Sequence, residues 1–352
     1  MNKARLALVI RVGQDKMIEG YYRRARDLGM EVLNDVEAIK AAHQEAMHEQ
    51  REDGKAGHCA LWVNVQTPTH EELDWLQQNF NLHPLVLEDI VHRDQRSKLE
   101  EYHDYMFLVL HSPAVEPRNQ DLNWEELHIV ISKHWVVTAL DKDSPRLEQA
   151  IKKIATSDRL FERGLGSLVY HLCDGIVDAY FPIMDDSGDQ MDQMEEVVLD
   201  KPDHALLDQM FKLKRNLVEM RRFLSPQRDV FRTLLDRSDD YFDVLARPYF
   251  RDIYDHMVRV YDSLDSLRDQ VGNATDLYLS VVNNNMNLVM KRLTVITTIF
   301  MPITFVTGVF GMNFGHSPQV ENDPGWFFWA CIFTLAIIAS VMIITLRRLK
   351  FI

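Results

Sequence analysis

The sequence predicts an α/β N-terminal cytoplasmic domain, a long α-helical stalk and a two-helix transmembrane hairpin. Three observations predict it: an uneven charge distribution, two apolar segments of bilayer length, and apolar heptads that run without a proline into the first of them. The 352 residues include 39 basic and 53 acidic ones, a net charge of −14. Only five of the basic and two of the acidic residues lie beyond residue 290, so the first 290 residues carry −17. Leu293–Val320 and Pro324–Leu346 contain no charge. The slightly negative mean hydropathy excludes a polytopic protein with most of its chain in lipid. The acidic excess excludes a general nucleic-acid binder, which needs a basic footprint, and suits a cationic partner.

The first 145 residues read as mixed α/β. Expected strands are Arg5–Val12, Ala60–Val65, Tyr105–His111, Leu127–Ser132 and Trp135–Leu140, rich in β-branched and aromatic residues. Lys133-His134 reads as the tight turn between the last two. Helices are expected near residues 35–51, 70–80 and 83–93. The run Leu6–Ile10 is too short for a signal peptide and is followed at once by Arg11. Residues 146–247 form an acidic helical part, in which Pro202-Asp203 restarts a helix. Cys59, Cys173 and Cys331 are far apart and odd in number, which suits a reducing compartment without a disulfide framework.

The stalk carries Ile253, Met257, Val260, Leu264, Leu267, Val271, Ala274, Tyr278, Val281 and Leu288 at 4-3 spacing, with Asn285 in one slot. No proline falls between Pro248, which fits a first turn, and Pro302. One helix is expected over residues 248–312, roughly 95 Å long at 1.5 Å per residue, so part of it projects from any compact domain. The seam suits either a coiled-coil dimer or a larger ring. A bilayer core needs ~20 apolar residues, and Leu293–Gly311 and Trp326–Leu346 supply them. Lys291-Arg292 precedes the first span, Arg347-Arg348 follows the second, and the loop 313–325 has no basic residue. Both termini, including the basic tail 347–352, are therefore expected in the cytoplasm of a multi-pass protein of the cell (inner) membrane.

The second span is apolar on all sides. The first collects Asn283, Asn287, Met290, Thr294, Thr297, Met301, Thr304 and Gly308 on one face, against Ile296, Ile299, Phe300, Ile303, Val306 and Phe310 on the other. A small, hydroxyl-bearing stripe faces other helices or water rather than lipid. It reads as close helix packing or as the wall of a pore, and a pore requires a ring of chains. No Gly-rich phosphate loop, G-x-S-x-G or H-E-x-x-H is present, so an enzyme is not expected. His43 and His48 are five apart, wrong for one helical face, and His58 beside Cys59 lacks a second pair for zinc.

The end of the first span reads Phe310-Gly311-Met312-Asn313-Phe314. This Gly-Met-Asn, placed at the outer end of the first of two C-terminal spans, resembles the CorA family of magnesium channels. Phe300-Met301-Pro302, His83–Ile90 and Tyr249–His256 extend the resemblance. Phe310 departs from the family's common Tyr. The loop Gly315–Gly325 lacks its frequent Met-Pro-Glu-Leu, although Glu321 and Asp323 keep negative charge there.

The resemblance implies a homopentameric channel in the lipid bilayer, with Mg2+ as substrate and Co2+ or Ni2+ as further cargo. Asn313, Gly311 and Met312 would form the entrance, and Thr304, Gly308 and Asn287 the path inward. Asn amides bind a hydrated ion without trapping it as carboxylates would. Met290 and Leu293 would form an apolar gate. Asp89 and Asp252 match positions that hold regulatory Mg2+ between subunits, with Glu88, Asp174 and Asp255 as helpers. Competing readings are a zinc transporter of the same two-span superfamily, a soluble domain or enzyme tethered by the hairpin, and a coiled-coil scaffold.

Overall fold

The computed structural model describes residues 17–23, 31–33, 36–53, 60–92, 95–115, 122–140, 147, 149, 151–153, 164–200, 202–310 and 326–348. The expected strand Arg5–Val12, the His58-Cys59 pair and the Gly311-Met312-Asn313 motif with its loop lie outside the described residues. The chain divides into two compact units, one of residues 1–194 with 208–272, the other of 195–207 with 273–352.

The larger unit is built on a seven-stranded sheet in the order β2-β1-β3-β7-β6-β5-β4. The strands are β1 (Met17–Arg23), β2 (Glu31–Leu33), β3 (Ala60–Gln66), β4 (Lys98–Glu101), β5 (Tyr105–Val115), β6 (Leu122–Ser132) and β7 (Trp135–Leu140). Among the described strands, only β3 and β7 pair in parallel. These central strands are buried on both faces and read as unbroken apolar runs, as buried strands do. The edges carry a three-residue β2 and the charged Lys98–Glu101 of β4, which discourages pairing with a further chain. The Lys133-His134 turn joins β6 to β7, with Ile131 opposite Val136.

One sheet face packs on α1 (Val36–Asp53), α2 (His70–Phe80) and α3 (Pro84–Val91). Leu61, Val63, Val65, Phe107, Val109, Val130 and Val137 meet Ile39, Ala42, Leu73, Leu76, Phe80 and Val86 in this core. Gly20 lets α1 come close: a Cβ there would lie 2.7 Å from Ile39 Cγ1. Thr69 starts α2 as a capping box, its amide donating to Glu72 Oε2 at 2.8 Å. Pro84 starts α3, where His83 Nδ1 accepts from the Leu85 amide.

The other sheet face meets α4 (Leu165–Asp178). Leu168, Val169, Leu172, Cys173, Ile176 and Val177 form its buried stripe. α5 (Phe181–Asp200), α6 (His204–Tyr241) and α7 (Arg247–Phe310) follow. The helical region breaks unexpectedly at Ala179-Tyr180 and restarts, as expected, after Pro202-Asp203. At the second break the Asp203 carboxylate accepts from the Leu206 amide and caps α6. Gln227 of α6, fully buried, accepts from the His111 amide at 2.7 Å and donates to the His111 carbonyl at 3.2 Å, fastening α6 to β5.

The heptad seam Ile253, Met257, Val260, Leu264, Leu267 and Val271 is buried within a single chain. Phe242 stacks on Phe250 at 5.0 Å, and the Arg228 guanidinium lies 4.7 Å from the Tyr261 ring centroid. This stretch of the expected stalk is thus core of the domain's own helices, and a coiled-coil dimer is not needed to bury it.

In the smaller unit, Ala274 and Tyr278 continue the buried seam of α7. From Val281 to Val309 no side chain is buried. α8 (Trp326–Arg348) is apolar up to its terminal Arg347 and Arg348. Trp329, Phe333, Ile337, Val341 and Ile344 are exposed along it.

Candidate metal centre and membrane helix

α4 turns its buried stripe to the sheet and leaves Tyr170, Asp174 and Asp178 on the opposite face. Asp174 and Asp178 are four residues apart, one helical turn. The first turns of α7 repeat the device with Asp252 and His256, while Ile253 and Met257 point into the core. The ligand atoms of Asp174, Asp178 and His256 all lie within 4.8 Å of one another. His256 Nε2 stands 3.6 Å from Asp252 Oδ1, and the Tyr170 hydroxyl donates to Asp252 Oδ2 at 3.5 Å. Phe181 packs edge-on against the His256 ring at 5.9 Å and fixes its plane.

The electrostatics fit a cation site. Burial raises the Asp174 pKa, and the neighbouring Asp178 and Asp252 carboxylates raise it further, against the lowering effect of His256 and His171. Burial, then the Asp174, Asp252 and Asp178 carboxylates, push the Tyr170 phenol up to about 12. A bound cation relieves this accumulated negative charge. Carboxylate oxygens suit Mg2+, and the imidazole adds a ligand that Co2+ or Ni2+ prefers.

The structure gathers two of the five expected regulatory residues, Asp174 and Asp252, into this group. Asp255 and Glu88 are exposed on their helices. Asp89, on α3, is held by Lys98, whose Nζ lies 2.7 Å from Asp89 Oδ2. Sequence reading missed Asp178, His256, Tyr170 and Lys98. The i, i+4 pairs Asp174/Asp178 and Asp252/His256 were the available signal.

On α7 the whole expected stripe is exposed: Asn283, Asn287, Met290, Thr294, Thr297, Met301, Thr304 and Gly308. Leu293 is exposed as well, and so are the apolar Phe300 and Phe305. A different face, Val295, Thr298, Ile299, Pro302, Ile303 and Val306, is half covered. Thr294 and Thr297 donate their hydroxyl protons back to the Met290 and Leu293 carbonyls at 2.8 and 2.9 Å. Their lone pairs are then left to accept from an outside donor. A Cβ added at Gly308 meets nothing within 4 Å, so packing within the chain does not require glycine there. Among the described residues, one helix, Val244–Val309, is long and apolar enough to cross a membrane, and none of its apolar window is buried.

An α/β domain bearing an acidic candidate cation cluster is thus continuous with a helix fit to cross a bilayer, a plan that suits a membrane transport protein. A family model described as "CorA-like Mg2+ transporter protein" matches residues 59–348. The cobalt/magnesium transport protein CorA of Thermotoga maritima is 33% identical over 292 residues, covering 82% of each chain. The zinc transport protein ZntB of Yersinia pseudotuberculosis is 22% identical over 84% of this chain and 93% of its own. The solved CorA magnesium transporter of Methanocaldococcus jannaschii has the same fold, with a TM-score of 0.75 at 23% identity over 95% of this chain and 98% of its own. The chain belongs to the CorA-like Mg2+ transporter family, a family of transporters rather than enzymes.

Proposed function

We propose that the chain assembles as a homopentamer in the cell membrane and conducts Mg2+ into the cell, down the membrane potential. Both termini are cytoplasmic, and α7 and α8 form the membrane hairpin. Five copies of α7 surround the path. The observation that carries this reading is the exposed stripe of α7. A face bearing Thr294, Thr297 and Thr304 is costly against lipid, and a ring gives these side chains water and one another. Asn313, Gly311 and Met312 form the outer entrance, Thr304, Gly308 and Asn287 the wall, and Met290 and Leu293 an apolar constriction that closes by dewetting. A potential of 100 mV favours entry of a divalent ion by about 4.6 kcal/mol, so no further energy source is required. The cobalt/magnesium transport of the Thermotoga relative supports Mg2+ and Co2+ as cargo.

Cytoplasmic Mg2+ closes the channel by binding between subunits. Asp89 of one subunit and Asp252 of the next hold it, assisted by Glu88, Asp174 and Asp255, with Asp178 and His256 completing the cluster. Bound Mg2+ relieves the repulsion between acidic faces and locks the ring; its loss releases the ring. The likeness to a zinc transport protein supports a second reading, with Zn2+ as cargo.

The test is Mg2+ flux into proteoliposomes under an imposed inside-negative potential, with Mg2+ kept low on the cytoplasmic-domain side. Wild type conducts and Asn313→Ala does not. Absence of wild-type Mg2+ flux, with Zn2+ flux under a proton gradient instead, overturns the magnesium reading.

A further inference from the structure

We propose that Lys98 is a built-in competitor for the regulatory cation and sets the Mg2+ concentration at which the channel responds. This rests on the reading of Asp89 as a regulatory ligand. The Lys98 ammonium is held from two sides, by Asp89 Oδ2 at 2.7 Å and Glu100 Oε1 at 2.8 Å. Glu100 is itself fixed by the Tyr102 hydroxyl, which donates to its Oε2 at 3.1 Å. The ammonium also lies 5.7 Å from the Phe107 ring centroid. The side chains of Lys98 and Asp89 are 27% and 16% exposed, so the pair is neither sealed in the core nor freely solvated.

An ion that binds Asp89 meets the ammonium on Oδ2 and must either displace it or bind beside a like charge. The competitor is covalently tethered, so its local concentration is fixed and it weakens Mg2+ binding by a constant factor. It keeps Asp89 satisfied when Mg2+ is scarce, and it places the response above the affinity that bare carboxylates would give. Glu100 tempers the competition by sharing the ammonium. A Lys–carboxylate pair of this exposure corresponds to a factor of about one and a half to five in binding.

The test uses the full-length protein in detergent. Thermal melting and limited proteolysis are followed against MgCl2 from an EDTA-treated start. Lys98→Met moves the midpoint to about one-and-a-half- to fivefold lower Mg2+. Glu100→Gln moves it upward about twofold, because Lys98 then bonds Asp89 alone and a negative charge is lost. Asp89→Asn is the reference and shrinks the response. If Lys98→Met and Glu100→Gln lower the melting temperature in EDTA but leave the midpoint where it was, Lys98 is only structural and the competitor idea fails while the Asp89 site stands. If Asp89→Asn and Asp252→Asn also leave the response intact, the regulatory site itself is wrong and the inference falls with it.

Discussion

Neutralising Asp174 should stabilise the protein without Mg2+ and weaken its response to Mg2+. Asp174 and Asp178 place carboxylate oxygens within 4.8 Å of each other. Two unit charges at that distance repel by about 0.9 kcal/mol in water and about 3.5 kcal/mol at an effective dielectric of 20. Asp174 is half-buried and Asp178 exposed, so screening keeps the repulsion at about 1–2 kcal/mol. Asp174→Asn removes it, raising the melting temperature in EDTA by roughly 2–6 °C for a unit of this size. Mg2+ at a hundred times its dissociation constant stabilises wild type by about 2.7 kcal/mol, and the variant should lose more than half of that gain. The pH dependence has a definite sign. The folded-state pKa of Asp174 is raised, so in EDTA its contribution improves as pH falls from neutral through that raised value towards the ordinary carboxylate range. The variant lacks this rise. The assay is differential scanning fluorimetry of full-length protein in EDTA and across an MgCl2 series. A lower melting temperature in EDTA with an undiminished Mg2+ gain would refute the reasoning.

Three further outcomes are expected. His43 and His134 both have lowered pKa values, His43 through burial and then His134, and His134 through burial and then Lys133. For a base this means stability is lost as pH falls below about 6.5 through the lowered values, and His43→Leu should flatten urea-denaturation midpoints measured between pH 7 and 5. Thr67 holds φ of +50° while exposed, so Thr67→Gly should raise chemical-denaturation stability by about 0.5–1 kcal/mol. Met290→Asp should hydrate the apolar constriction and sustain Mg2+ flux at cytoplasmic Mg2+ levels that silence wild type, as read by a liposome-entrapped Mg2+ dye.

The central strands β3, β5, β6 and β7 were legible in the sequence because β-branched and aromatic runs buried on both faces need no partner to be recognised. β1, β2 and β4 were not. Gly20 interrupts Met17–Arg23, Glu31–Leu33 is three residues long, and Lys98–Glu101 is charged because it closes the sheet edge. The seam Ile253–Val271 was read with the correct period, but period alone does not say whether the partner is the same chain or another. The membrane helix was legible through its lack of charge and its stripe. The candidate metal cluster was read only in part, because it joins two i, i+4 pairs on helices about 80 residues apart. Lys98 escaped because an ion pair across a helix and an edge strand leaves no periodic trace.

The most direct test of the account concerns the exposed stripe of α7. Single cysteines are introduced along the helix in a background lacking Cys59, Cys173 and Cys331, and block of Mg2+ flux by a charged thiol reagent is measured. A water-filled path predicts block at Asn287, Thr297, Thr304 and Gly308 and none at Ile299, Ile303 and Val306. Block on the apolar positions instead, or flux untouched at every position of the stripe, would contradict a pore lined by this face.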